Sequence, residues 1–162
     1  MKYVLVIALP LLVLCSCGRD IDCADANIQP TFIGYSLADV DTMVLRRYKA
    51  GDGFNTLIDT FLITMYNRSG TYVIAGLDRI EVSTSGVYGN NGEALNAIHV
   101  GYDWKLYIPA TNKTVAITGI VSEHNSTHCW KCVCYNRVFS YMADTVTYKP
   151  QDGSGYRFLI RR

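Results

Sequence analysis

Between His124 and Cys134 the chain reads HNSTHCWKCVC, which sets His124, His128, Cys129, Cys132 and Cys134 within eleven residues. Three kinds of chemistry use such a spacing. A Cys-x-x-Cys pair beside imidazoles suits tetrahedral zinc, with His124, His128, Cys129 and Cys132 as the candidate ligands. A structural zinc site usually draws a second ligand pair from elsewhere in the chain, however, and here every donor sits in one short stretch. A redox Cys-x-x-Cys opens a helix whose N-terminus lowers the thiol pKa, whereas CWKCVCYNRVFSY alternates as a strand does. CWKC is no haem attachment motif either, because no histidine follows Cys132. Disulfides are the favoured reading and zinc the alternative, and the choice turns on the compartment in which the chain resides.

The N-terminus bears on that compartment. MKYVLVIALPLLVLCS carries one early charge, Lys2, and then an apolar run from Tyr3 to Cys15. The run is too short to cross a bilayer as a helix, and Pro10 interrupts it. A short apolar region ending in small residues reads as an export signal over residues 1–16. Exported cysteines meet an oxidising environment, in which pairing is the ordinary outcome.

Leu14-Cys15-Ser16-Cys17 resembles a bacterial lipobox, with Leu14 in the aliphatic place, Ser16 in the small one and Cys17 as the cysteine that follows. The resemblance implies that Cys17 is acylated and becomes the mature N-terminus. Each buried methylene of such an anchor contributes about 0.8 kcal/mol, so several acyl chains hold a protein stably to a membrane. Gly18 stands where an inner-membrane retention signal would place aspartate, which points to the outer membrane, on its periplasmic or surface face. More broadly, CADANIQPTFIGYSLADVDTMVLRRYK, TLIDT and DWKLYIPATNKTVAITGI are similar to uncharacterised small lipoproteins of Bacteroidota. That likeness implies location and fold class and carries no activity.

If Cys15 leaves with the leader and Cys17 is acylated, Cys23, Cys129, Cys132 and Cys134 remain, and four cysteines allow three connectivities. In a strand, Cys132 and Cys134 would share one face about 6.7 Å apart, with parallel Cβ directions that suit a mutual bond poorly. Cys23 bonded to one cysteine of the cluster, with Cys129 bonded to another, is the favoured arrangement. A bridge from Cys23 would close a loop of more than a hundred residues. The chain-entropy model values such a closure at roughly 4–5 kcal/mol.

The elements that must position these residues read as strands. The chain has 162 residues, enough for one domain with a core, and 49% apolar against 18% charged residues excludes wholesale disorder. Without Lys2, 14 basic residues balance 14 acidic ones, and no basic cluster invites nucleic acid. Twelve tyrosines among many Val, Ile and Thr favour β-structure. Residues 17–28 read as a lipidated polar tether and residues 29–162 as the folded domain. Alternating runs are expected near 31–36, 42–48, 56–66, 71–75, 79–84, 96–101, 132–142 and 145–149. Further runs are YDWKLYIP, TVAITGIVS with a bulge at Gly119, and YRFLIRR. PATNKT between two of them predicts a hairpin, and SLADVDT a helical turn capped by Ser36.

Many short strands with no amphipathic helix predict an all-β antiparallel sandwich, Ig-like or transthyretin-like, with a small β-barrel as the alternative. Tyr102, Trp104, Tyr107 and Trp130 could form a stacking platform for a sugar or peptide, although strand aromatics ordinarily serve the core. His99 reads as an ordinary strand residue. No G-x-S-x-G, H-E-x-x-H or catalytic-cysteine context is present. The expectation is therefore a lipid-anchored binding or interaction module of the cell envelope, whose ligand is a glycan, a peptide or a partner protein. A zinc-binding envelope protein built on residues 124–134 is the alternative, and an enzyme of unrecognised type a third and weaker one.

Overall fold

The computed structural model describes residues 19–22, 24–74, 76–84, 95–124, 126–129, 135–150 and 156–162. The expected leader, Cys17, Cys23, Trp130, Cys132 and Cys134 lie outside the described residues. Two short strands come first, β1 (Arg19–Asp22) and β2 (Ala24–Asp25). They are followed by β3 (Gln29–Ile33), β4 (Thr42–Lys49), β5 (Leu57–Thr64), β6 (Gly70–Ile74) and β7 (Arg79–Ser83). The second half supplies β8 (Tyr102–Ile108), β9 (Lys113–Ser122), β10 (Ser126–Cys129) and β11 (Tyr135–Asn136). It closes with β12 (Val138–Ala143), β13 (Val146–Tyr148) and β14 (Arg157–Arg161). Among the described residues no helix is long and apolar enough to cross a membrane.

Two sheets pack face to face as a β-sandwich, and among the described residues no closed barrel forms. The larger runs β13-β12-β9-β8-β4-β5 and the smaller β14-β3-β7-β6. Period-two alternation decides which residues meet between them. The larger sheet sends in Met43 and Leu45 from β4, Trp104, Leu106 and Ile108 from β8, and Val115 and Ile117 from β9. The smaller sheet answers with Phe32 from β3, Ile80 and Val82 from β7, and Phe158 and Ile160 from β14. Each large side chain buried in this way contributes roughly 1.5–3 kcal/mol.

The expected strands appear with several instructive differences. β3 and β14 run parallel, within sheets otherwise antiparallel. The run at 96–101 is not a strand. Ile98 makes one isolated bridge to Ile28, and the chain then turns through Gly101, at φ +92°, into β8. The long run at 132–142 is divided, because β11 pairs parallel with β2 while β12 joins the large sheet beside β9. The β9–β12 register slips between Thr118 and Val121, where Gly119 takes φ +59°, and this is the expected bulge. β8 and β9 form the expected hairpin, closed by a 3-10 turn at Pro109–Thr111 and a left-handed Asn112. Parts of the expected tether are themselves paired: β1 lies antiparallel to β10, and Ala26 and Ile28 are buried in the core.

The two sides of the sandwich are treated differently. On one side β13 and β14 are the edges, and Tyr148 joins them. Its ring stacks on Tyr141 at 5.3 Å and meets Phe158 edge-on, while its hydroxyl accepts the Leu159 N–H at 3.1 Å. Burial together with the neighbouring Tyr148 holds the Tyr141 phenol well above the usual tyrosine range, so Tyr141 stays neutral. Tyr148→Phe keeps the stacking and removes the hydroxyl. Chemical denaturation is expected to show a loss of about 0.5–1.5 kcal/mol, with an unchanged m-value.

Candidate functional site

The β1–β10 register sets Arg19 opposite Cys129, Asp20 opposite His128 and Asp22 opposite Ser126. Two residues further on, β2 sets Ala24 beside Tyr135. The chain on either side of Cys23 is therefore strapped to the chain on either side of residues 130–134. Of the expected zinc ligands, His124 has an exposed side chain just beyond β9. Among the described residues, no group of three or more His, Cys, Asp or Glu side chains converges as a metal site requires.

Of the aromatic residues expected as a possible platform, Trp130 lies outside the described residues, and Tyr102 and Trp104 are packed instead. Trp104 is fully buried and donates its indole N–H to the His99 carbonyl at 3.1 Å. The His99 ring sits edge-on to Tyr102 and Trp104 at 5.4 and 5.6 Å, and its Nδ1 lies 2.9 Å from the Val100 carbonyl. His99 is thus a turn residue that seats Trp104. Arg47 completes the cluster: its guanidinium lies 4.6 Å from the Tyr102 ring centre, reaches Phe61 and Trp104 within cation–π range, and pairs with Asp59. Tyr107 donates to the Asn112 carboxamide oxygen at the hairpin. The Arg47, Tyr102, Trp104 and Phe61 contacts brace the inner face of β4, β5 and β8.

The opening lies at the far margin of β5. β5 is the last strand of the large sheet and β6 the last of the small sheet, so the turn at 65–69 carries the chain from one layer to the other. Asn67 fixes that crossover: its side chain accepts the Thr64 N–H at 2.7 Å and donates to the Leu62 carbonyl at 2.8 Å. Nothing described joins these two edges as Tyr148 joins the other pair. A cleft of about 390 Å³ opens there, walled by Leu37, Met65 and Tyr66 and floored by Thr71 and Val73. Val73 pairs with Ile80, a core residue, and so faces inward, yet it is 59% exposed. An inward-facing valine left uncovered means that the interior reaches the surface here. Tyr66, at the lip, is 92% exposed. Gly70 leaves room for the Tyr72 ring, since a Cβ at this position would sit 3.1 Å from it.

Polar groups shape the cleft without filling it. Arg68 donates to the Val40 carbonyl at 2.8 Å, and burial draws its pKa below the usual value while the charge of Asp41 opposes that shift. Leu37 is held by a reciprocal cap. The Asp39 carboxylate accepts the Ser36 N–H and hydroxyl, both at 2.8 Å, and the Asp39 N–H donates to the Ser36 oxygen at 3.3 Å. This bears out the expected Ser36-capped turn. The Ser36 bonds, with help from Arg162, lower the Asp39 pKa below its ordinary 3.8. A lowered carboxylate stabilises above its unfolded pKa and loses that contribution as pH falls through the folded one. Amide exchange at Ser36 should hold its protection from neutral pH down to the ordinary carboxylate range and lose it in stronger acid. In Asp39→Asn this pH step should be absent.

None of the cleft residues stood out in the sequence as functional. The one signal was LITMY running into the turn NRSG, where apolar residues continue to a loop tip that ordinarily would be polar. The fold and the cleft together define an all-β sandwich with one closed and one open side. Comparison with protein-family models, curated proteins and solved structures gave no match.

Proposed function

We propose that the protein is a lipid-anchored interaction module of a bacterial cell envelope and that the open side of its sandwich is the working surface. The carrying observation is the uncovered inward face of Val73 beside Met65 and Tyr66. Clefts that bind are mostly apolar, with a few placed polar groups, and an exposed sheet edge accepts an extended strand through its backbone. An apolar lining next to a free backbone edge suits a polypeptide better than a glycan, because hydroxyl-rich sugars require a denser set of hydrogen-bonding side chains. The leader and the lipobox at Leu14–Cys17 support the anchor, acylated on Cys17 and directed to the outer membrane.

A soluble strand-forming probe, a lysine-flanked peptide of alternating valine and threonine, tests the surface. The expected result is saturable binding to the protein at sub-micromolar concentration. Val73→Glu, which adds charge at an already exposed position, should weaken binding at least about tenfold and leave the melting temperature unchanged. Undiminished binding by that variant would remove the cleft from the proposal.

The cysteines belong to the same reading. Strand pairing on both sides of Cys23 with segments that flank residues 130–134 supports a bond from Cys23 into the cluster, leaving two disulfides among Cys23, Cys129, Cys132 and Cys134. The unreduced intact mass of the chain taken from membranes should show the gain of acyl chains and the loss of the hydrogens of two disulfides. A mass higher by a metal ion that is lost on chelation would favour the zinc alternative at His124, His128, Cys129 and Cys132 instead.

A further inference from the structure

We infer that the paired arm β1–β10 is a short spacer between the anchor and the sandwich, and that its outer end, where Arg19 faces Cys129, rests on phospholipid headgroups. This rests on the reading of Cys17 as the acylated residue, and it names which end of the molecule meets the lipid and at what height.

Residues 17–28 read in the sequence as a loose polar tether. An unpaired segment from Cys17 to the first large core residue, Ile28, would reach about 38 Å when extended. The structure shortens that reach. β1 begins at Arg19, so only Gly18 separates it from Cys17. Arg19, Asp20, Ile21 and Asp22 lie opposite Cys129, His128, Thr127 and Ser126 in turn. β2 then pairs with β11, Ala26 and Ile28 are buried, and the Asn27 side chain accepts the Ile98 N–H at 3.1 Å. From Arg19 to Ile28 every described residue is paired, bonded or buried. The free part of the connection is Gly18.

The direction of the arm follows from the chain at its two ends. β1 and β10 form a two-stranded sheet separate from the two that make the sandwich. β10 leaves from the end of β9, where Ser122 faces Val138 of the large sheet, and its first residue, Ser126, faces Asp22. β1 in turn leads from Asp22 into β2. The Asp22–Ser126 end therefore adjoins the body, and the Arg19–Cys129 end is the outer one.

Lengths then place the outer end. Two residues span at most about 7 Å, and a directly opposed strand adds about 5 Å, so the backbone of Cys129 lies within about 12 Å of Cys17. The polar layer on each side of a bilayer is about 5–7 Å thick. A glycerol bound through the Cys17 sulfur shares the level of the lipid glycerols, at the base of that layer. Asp22, where the body begins, stands at most about 17 Å from Cys17. Residue order along β1 suits this placement. Arg19 comes nearest the phosphates, for which a guanidinium is a good partner, and Asp20 and Asp22 follow towards the body. The β8–β9 turn at Pro109–Thr111 lies at the other end of β9, a strand of ten residues.

Fluorescence quenching on the full acylated chain is the test. The protein is taken from membranes, shown by intact mass to carry acyl chains, and placed in phosphatidylcholine vesicles with and without a headgroup-spin-labelled phospholipid. In a Trp130→Phe background the buried Trp104 gives a constant signal. Thr127→Trp and Ile21→Trp add a reporter on either strand of the arm, so that one serves if the other fails to fold, and Ala110→Trp adds one at the far turn. The labelled lipid should quench the arm reporters at least about twofold and leave the turn reporter unchanged, because β9 alone spans about 30 Å. Inserting about twenty Gly and Ser residues between Gly18 and Arg19, with a mean reach of about 25 Å, should remove most of that quenching. Arm reporters quenched no more than the turn reporter, in a chain that is acylated, would overturn the seating and leave the anchored module standing. Quenching that survives the insertion would overturn the arm as the spacer that sets the height. A chain without acyl groups would overturn the anchor itself, and the seating with it.

Discussion

A β-sandwich buries its faces by packing two sheets together, and that packing leaves four edges to be dealt with separately. Everything distinctive about this molecule follows from how the edges are treated. On the β13–β14 side one tyrosine does three things at once. Tyr148 stacks on Tyr141, meets Phe158 from the opposite layer, and caps the outward N–H of Leu159. An aromatic ring with a polar tip suits this task, because the ring bridges the layers while the hydroxyl satisfies the edge backbone. On the β5–β6 side the connecting turn is Met65, Tyr66, Asn67, Arg68 and Ser69, and among the described residues none of these side chains joins the two edges as Tyr148 does. The layers are tied there through the chain itself, with Asn67 holding the crossover.

The Arg47 cluster shows how interior design supports that open side. β5, like β13, has a neighbour on only one edge, the position from which strands fray. Its inner face is fastened by Phe61 beneath the Arg47 guanidinium and by Asp59 in ion pairing with it, while Arg47 in turn rests on Tyr102 and Trp104. Trp104 is seated by the His99 carbonyl. At the other end of the hairpin, Asp103 accepts the Gly51 N–H, and Lys105 lies over Phe54, fixing the loop that begins β5. The edge is open but not loose.

Much of this was legible in the residue order. YDWKLYIP and YRFLIRR alternate cleanly because one face of each is buried, and that periodicity survives into the structure; in TVAITGIVS it holds for Val115 and Ile117, but beyond the Gly119 bulge Ile120 packs against the core and Val121 is exposed. NAIHVG alternates equally well and is not a strand. What distinguishes it is tertiary: the His99 carbonyl is engaged by the Trp104 indole, and Gly101 turns the backbone. The run from 132 to 142 looked continuous because alternation says nothing about which partner a strand takes, and β11 and β12 take different ones. The cleft was hidden for a related reason. TYVI carries the pattern of any half-buried strand. That Val73 faces inward and is nevertheless uncovered depends on β6 being terminal in its sheet, which pattern alone does not encode.

An exposed apolar edge is a hazard for a protein free to diffuse, since any unpaired strand can add to it. The chain does not lack the means of protecting one: β4 carries Arg46, Arg47 and Lys49, and β14 carries Arg157 and Arg161. Their absence from β5 is a matter of placement rather than composition. The lipid anchor proposed at Cys17 would change what such an edge can do. Confinement to a membrane surface raises the effective concentration of each copy for its neighbours, so that a contact too weak to form in dilute solution becomes populated. It would also limit the orientations in which such an edge meets a partner. On the function proposed above, the anchor and the open edge would act together, the membrane supplying proximity and the edge an unpaired strand.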